Sequence, residues 1–178
     1  MLTATNSWLH AQTRQSQYRY DRDRGYVCTL SALVIKSTTA HLFHVGDTRI
    51  YRLRGDSLEQ LSNDHRLWIA QDKSYLSRAL GIQPHLEIDY QALALDPGDV
   101  FLLLTDGVYE HADARFLLGA IDAHAQDLQA AARAIVAEAY RQGSTDNLTV
   151  QILRIDQLPE HQADELQQQA AELPPAPL

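Results

Sequence analysis

Between residues 27 and 61 apolar and polar side chains alternate with a period of two, and the interruptions are only a few residues long. The stretches at residues 27–35, 41–45, 49–53 and 57–61 are rich in β-branched and apolar residues, and Lys36-Ser37-Thr38-Thr39, Gly46-Asp47 and Arg54-Gly55-Asp56 punctuate them. Parallel neighbours need a crossover of about a dozen residues or more, so strands this close must run antiparallel. A β-meander is therefore the frame on which the rest of the chain has to pack. Further on, Asp96-Pro97-Gly98-Asp99 has the composition of a turn, with Pro presetting φ and Gly accepting a positive one. It leads into Val100-Phe101-Leu102-Leu103-Leu104, an unbroken apolar run of the kind that forms a strand covered on both faces. That strand stops abruptly at Thr105-Asp106-Gly107.

Helical spacing is clearest over residues 127–142, where Leu128, Ala131, Ala132, Ile135, Val136 and Ala139 share one face and Gly143 follows. The spacing also suggests a helix over residues 67–80 capped by Gly81, and the opening residues around Leu2, Trp8 and Leu9 read as the last turns of another. Residues 86–95 and 148–155 alternate as strands. The fold class expected is α+β, with antiparallel sheets flanked by helices.

Charge narrows the chemistry. Fifteen Lys and Arg stand against 23 Asp and Glu, a formal charge of −8, and only Lys36 and Lys73 are lysines. A groove that tracks nucleic-acid phosphates needs a cationic stripe, which this chain lacks. No apolar run approaches the roughly 20 residues of a membrane span, and residues 1–10 have neither the basic start nor the apolar stretch of a secretory signal. Cys28 is the only cysteine, so no intrachain disulfide forms, and a cytoplasmic location is expected.

Three acidic turns lie at the edges of expected strands: Gly46-Asp47-Thr48-Arg49, Thr105-Asp106-Gly107 and Thr145-Asp146-Asn147. Carboxylates at strand ends gather on one rim, and clustered carboxylate oxygens are hard ligands suited to Mg²⁺ or Mn²⁺. Each is also a common turn dipeptide, and for Asp47 the competing reading is a turn residue pairing with Arg49. Asp106 stands apart because it ends the most apolar strand, where an unpaired charge is expensive.

In order along the chain, these segments resemble the metal-dependent PPM-type (type 2C) serine/threonine protein phosphatases. The resemblance rests on His44-Val45-Gly46-Asp47-Thr48-Arg49, on residues 61–65, on Ser77-Arg78-Ala79-Leu80-Gly81, on Gly98-Asp99-Val100, on Leu104-Thr105-Asp106-Gly107-Val108 and on Asp146-Asn147-Leu148-Thr149-Val150. It implies a sandwich of antiparallel sheets between helical layers and a binuclear Mn²⁺ or Mg²⁺ centre whose bound water attacks phosphorus. By the same resemblance Asp106 and Asp146 match metal ligands, and Asp47 matches a contributor to a weaker third metal position. The family's Asn-Glu-Asp segment and its Asp-Gly-Met-Gly-Gly-His segment, which carries the carboxylate bridging both metals, do not occur in the 178 residues. Residues 1–156 thus read as an N-terminally truncated phosphatase domain, and residues 157–178, acidic and ending Leu173-Pro174-Pro175-Ala176-Pro177-Leu178, as a tail or linker.

The expected function is metal-dependent hydrolysis of phosphoserine and phosphothreonine in proteins, impaired by the missing ligands. The alternatives are a non-catalytic phosphatase-like remnant that binds or regulates, and a metal-binding module without chemistry. Implied partners are a phosphoprotein substrate and a cognate serine/threonine kinase, since in some bacterial proteins such a domain and linker precede a kinase domain. Lost strands would leave exposed edges and apolar faces. His41 and His44 straddle a strand on opposite faces, His65 reads as a hydrogen-bonded structural residue, Cys28 as an inert core thiol, and Trp8 and Trp68 as packing residues.

Overall fold

A computed structural model describes residues 1–20, 25–70 and 73–159, with the backbone alone at residues 68–70 and 73–74. The meander appears where alternation placed it: β1 (Leu30–Lys36), β2 (Thr39–Val45), β3 (Arg49–Arg54) and β4 (Ser57–Gln60) follow one another. Residues 66–76 form a hairpin, β5 (Arg66–Ala70) and β6 (Lys73–Leu76), and not the helix expected over residues 67–80. Leu67 and Ile69 are two apart, a strand spacing that cannot sit on one helical stripe. The order closes with β7 (Asp89–Ala94), β8 (Val100–Leu104), α2 (Asp106–Tyr109), α3 (Ala114–Ala123), α4 (Leu128–Arg141) and β9 (Val150–Arg154), after an opening α1 (Leu2–Gln15). Among the described residues no helix is long and apolar enough to cross a membrane.

The strands form two main sheets, β1-β2-β7 and β4-β3-β8-β9, with every pairing antiparallel. In β8, Val100, Leu102 and Leu104 pack with Leu117, Ile121, Ile135 and Ala139 of α3 and α4. Phe101, on the opposite face, packs with Ala40, Leu42 and Ile50 between the two sheets. The apolar run is thus covered on both sides, and each such buried side chain contributes about 1.5–3 kcal/mol. The third main-layer helix, α3, follows a turn whose Asp113 accepts a hydrogen bond from the Phe116 backbone N–H, an N-cap unassigned by the periodicity alone.

The outer face of the β1-β2-β7 sheet is open. Val34 and Tyr90 are half exposed there, and Tyr90 stacks on His41 and packs on Phe43. Two expectations of burial fail: Cys28 is exposed and Trp8 projects largely into solvent. Cys28 precedes β1 in an isolated bridge to Leu80, so it never enters the core, and the burial it does have pushes its thiol pKa up, away from nucleophilic activation. α1 is anchored at Asn6 instead, which is fully buried, donates to the Gln83 and Pro84 carbonyls and accepts from the Gly81 N–H. Trp68, residues 21–24 and the tail from residue 160 lie outside the residues whose side chains are described.

The turn feeding β8 is held by an ion pair between buried Asp99 and exposed Arg54. Asp99 is 1% exposed, takes two hydrogen bonds from the Arg54 guanidinium at 2.7 and 2.6 Å, and accepts the Asp96 N–H at 2.9 Å. Burial opposes its charge, but the Arg54 hydrogen bonds outweigh that and hold its pKa below the usual carboxylate range. A carboxylate depressed in the folded state stabilises fully above its unfolded pKa and loses that stabilisation as pH falls through the folded one. Asp99→Asn should therefore lower stability by about 1–3 kcal/mol at neutral pH. In urea unfolding, the gap from wild type should close as pH drops below about 4.

Candidate functional site

The rim of the four-stranded sheet is assembled by Thr105. Its backbone N–H donates to the Thr149 carbonyl, its hydroxyl donates to the Asn147 carbonyl at 3.0 Å, and the Thr149 N–H donates back to that hydroxyl. With Leu104 paired to Val150, this lashing sets the turns after β8 and before β9 side by side. A Cβ on Gly107 would lie 2.8 Å from the Asn147 carbonyl oxygen and 3.0 Å from the Asp146 Cβ, so only glycine permits the approach. Asp106 and Asp146 are brought to one rim, as expected. Asp146 is exposed and accepts the Asn147 N–H at 2.6 Å; Asp106 is part-buried and accepts the Gly107 N–H at 2.9 Å.

Asp47 reaches the same rim from the turn between β2 and β3. Gly46 has φ +115°, and a Cβ there would sit 2.3 Å from the Thr29 side chain. The turn is tied on both sides to His65: the Gly46 N–H donates to His65 Nδ1 at 3.1 Å, and the His65 N–H donates to the Gly46 carbonyl at 2.8 Å. With Nδ1 accepting, Nε2 faces Asp89 at 2.9 Å and the Arg78 guanidinium, which is itself paired with Asp89. His65 is a structural clamp, as expected. The Tyr109 hydroxyl donates to the Asp47 carbonyl at 2.8 Å, joining α2 to this turn.

Asp47 does not pair with Arg49. Arg49 makes a two-pronged ion pair with Asp64, Nη2 to Oδ2 at 2.7 Å, and its guanidinium lies 3.7 Å from the centre of the Tyr109 ring. The partner of Asp47 is Arg66, the first residue of β5. Its Nε donates to Asp47 at 2.9 Å, its Nη2 lies 2.6 Å from Asp47 and 2.7 Å from Asp106, and its Nη1 donates to Glu110 at 2.5 Å. Burial opposes the charge of Arg66, but hydrogen bonds to Glu110 and Asp47 outweigh it and raise its pKa. Asp47 is shifted up, chiefly by burial, despite that partner. Arg66 was missed in the sequence because it follows Asp64-His65 as one more arginine at an apparent helix start. Its position directly after a matched segment and between two acidic turns was the available signal.

Hard carboxylate donors suit Mn²⁺ or Mg²⁺ in kind, but here a guanidinium lies among them. Among the described residues, no group of three or more His, Cys, Asp or Glu side chains is arranged to hold a metal ion. The binuclear centre does not fit this arrangement as it stands.

His44, on the inner face of β2, is 3% exposed; its Nε2 donates to the Asn63 carbonyl at 3.0 Å and its Nδ1 accepts from Ser31 at 2.9 Å. Burial first, and then the nearby His65, lower its pKa. His41 faces out and bonds the Tyr90 hydroxyl at 2.8 Å, so the two histidines do straddle the strand.

The sequence profile of the stage II sporulation protein E (SpoIIE) family matches residues 1–156. The protein phosphatase PhpP of Streptococcus pneumoniae is 27% identical over 122 residues, covering 60% of this chain and 48% of PhpP. The chain thus spans about half the length of the curated relatives it matches. Among solved structures, PppA, a regulatory component of the type VI secretion system in Pseudomonas aeruginosa, superposes with a TM-score of 0.76 at 30% identity, covering 86% of this chain and 66% of PppA. The catalytic domain of serine/threonine protein phosphatase PstP, solved with two manganese ions, superposes at 0.69 with 24% identity, covering 84% of this chain and 66% of PstP. The antiparallel sandwich is the fold of these phosphatases.

Because His65 Nδ1 accepts the buried Gly46 N–H, His65→Ala should cost about 1–3 kcal/mol of stability. His41→Ala, at a partly exposed position, should stay within about 0.5 kcal/mol; urea denaturation of the two variants checks both.

Proposed function

From the premise that this chain belongs to the SpoIIE/PPM-type family of serine/threonine phosphatases, we propose that residues 1–156 are a portion of a domain that hydrolyses phosphoserine and phosphothreonine in proteins with Mn²⁺ or Mg²⁺. The observation that carries this reading is the convergence of Asp106 and Asp146 through Thr105 and Gly107 on the rim where the matched segments meet. Asp106, Asp146 and Asp47 are the ligands it assigns. The substrate is a phosphoprotein, and a cognate kinase is the enzyme class that would supply it.

Hydrolysis by the 178 residues alone is impaired on this reading. They hold no Asp-Gly-Met-Gly-Gly-His segment to supply a bridging carboxylate, and without it two or three carboxylates bind a hard cation weakly. One observation favours the second reading, a phosphatase-like module that binds without turnover: the guanidinium of Arg66 engages Asp47 and Asp106.

The test compares the purified chain with the same chain extended N-terminally by the Asn-Glu-Asp and Asp-Gly segments of a relative, on a phosphothreonine peptide with Mn²⁺. The chain alone should stay at the EDTA background. The extended chain should turn over, and Asp106→Asn should return it to background. Mn²⁺-dependent turnover by the chain alone, lost in Asp106→Asn, would contradict the impairment; an inactive but folded extended chain would favour the binding module.

A further inference from the structure

The acidic rim already contains a cation. The three nitrogens of the Arg66 guanidinium are committed to three carboxylates from three places in the fold: Asp47 in the turn before β3, and Asp106 and Glu110 in and just after α2. One nitrogen, Nη2, stands within 2.7 Å of oxygens from both Asp47 and Asp106, so these two carboxylates face a single point of positive charge. The Arg66 side chain is 13% exposed and Asp47 10%, so the contact is shielded from water and weakly screened. A guanidinium is planar, permanently charged and rich in fixed donors, which lets it satisfy several carboxylates at once. The neighbouring arginine does not compete for this role, since Arg49 is held by Asp64 and the Tyr109 ring.

We infer that Arg66 is a tethered counter-cation that takes the place of a divalent metal between Asp47 and Asp106. The chain then folds with its acidic rim closed and metal-free, and a divalent cation can enter only by displacing Arg66. This rests on the preceding reading only for the identity of the competing ion; the closure itself is a property of the four side chains. It also accounts for an acidic rim that needs no metal to fold: removing a cation from between half-buried carboxylates would leave them facing each other uncompensated. With its ion pairs already internal, the rim exchanges protein–protein for protein–metal contacts when metal binds, which weakens the apparent affinity by the cost of opening Arg66.

The experiment is Mn²⁺ binding by the full 178-residue chain and by Arg66→Gln, followed by calorimetry and by melting temperature in EDTA and in Mn²⁺. Wild type should melt at the same temperature in both. Arg66→Gln should melt lower in EDTA, recover in Mn²⁺, and bind Mn²⁺ about tenfold more tightly or better, equivalent to a difference of about 1.4 kcal/mol. Equal Mn²⁺ affinity in the two proteins, or a folded Arg66→Gln that gains none, would overturn the inference. Should Arg66→Gln fail to fold, the wild-type Arg66 Nε–H resonance decides: it should stay sharp across the Mn²⁺ range in which the wild-type melting temperature is unchanged, and selective broadening within that range would overturn the inference. These readouts involve no turnover, so their failure is distinct from a failure of the phosphatase reading.

Discussion

Carboxylates at the end of a strand buried on both faces cannot stand alone, and the organisation of this domain's rim follows from how their charge is met. β8 delivers Asp106 straight from an apolar core, and the Gly46 turn delivers Asp47 with little exposure. Desolvating either without a partner costs several kcal/mol. Arg66 meets both, and because it begins β5 it also joins the hairpin to the rim. Charge compensation by Arg66 therefore ties β5 to the rim.

Around that contact the structure is a set of rigid props. Thr105 and Gly107 hold the β8 and β9 turns together, His65 clamps the Gly46 turn, Tyr109 reaches back to the Asp47 carbonyl, and the Arg49–Asp64 pair braces the segment between them. Apart from the close approach at Gly107, each prop is a hydrogen bond or ion pair between segments apart in sequence, set on a core of Leu102, Leu104, Phe101 and Ile50 that fixes the strands. Such pre-positioning is what a catalytic rim requires. Between Asp47 and Asp106 that rim is spanned by the Arg66 side chain.

The elements with a strong local pattern were legible in the sequence. The unbroken run at 100–104 is the doubly covered strand, the stripe over 127–142 is α4, and alternation plus turn chemistry placed the meander. The convergence of Asp106 with Asp146 was also readable, because one follows a strand and the other leads into one. What escaped was decided by tertiary contacts: the 66–76 hairpin, whose Leu67 and Ile69 were fitted to a helical stripe; α3, too short to outweigh its loops; and Cys28 and Trp8, apolar residues that the fold leaves outside. Arg66 escaped for a related reason, since a long side chain bridging turns some 19 and 40 residues away leaves no periodic trace.

The central claim is that a guanidinium, and not a metal, sits between Asp47 and Asp106. Diffraction from crystals grown in Mn²⁺ and measured at the manganese absorption edge tests it most directly. The account predicts no anomalous peak between the two carboxylates and a planar Arg66 density bridging them. A peak at that position, with Arg66 turned away from the rim, would contradict it.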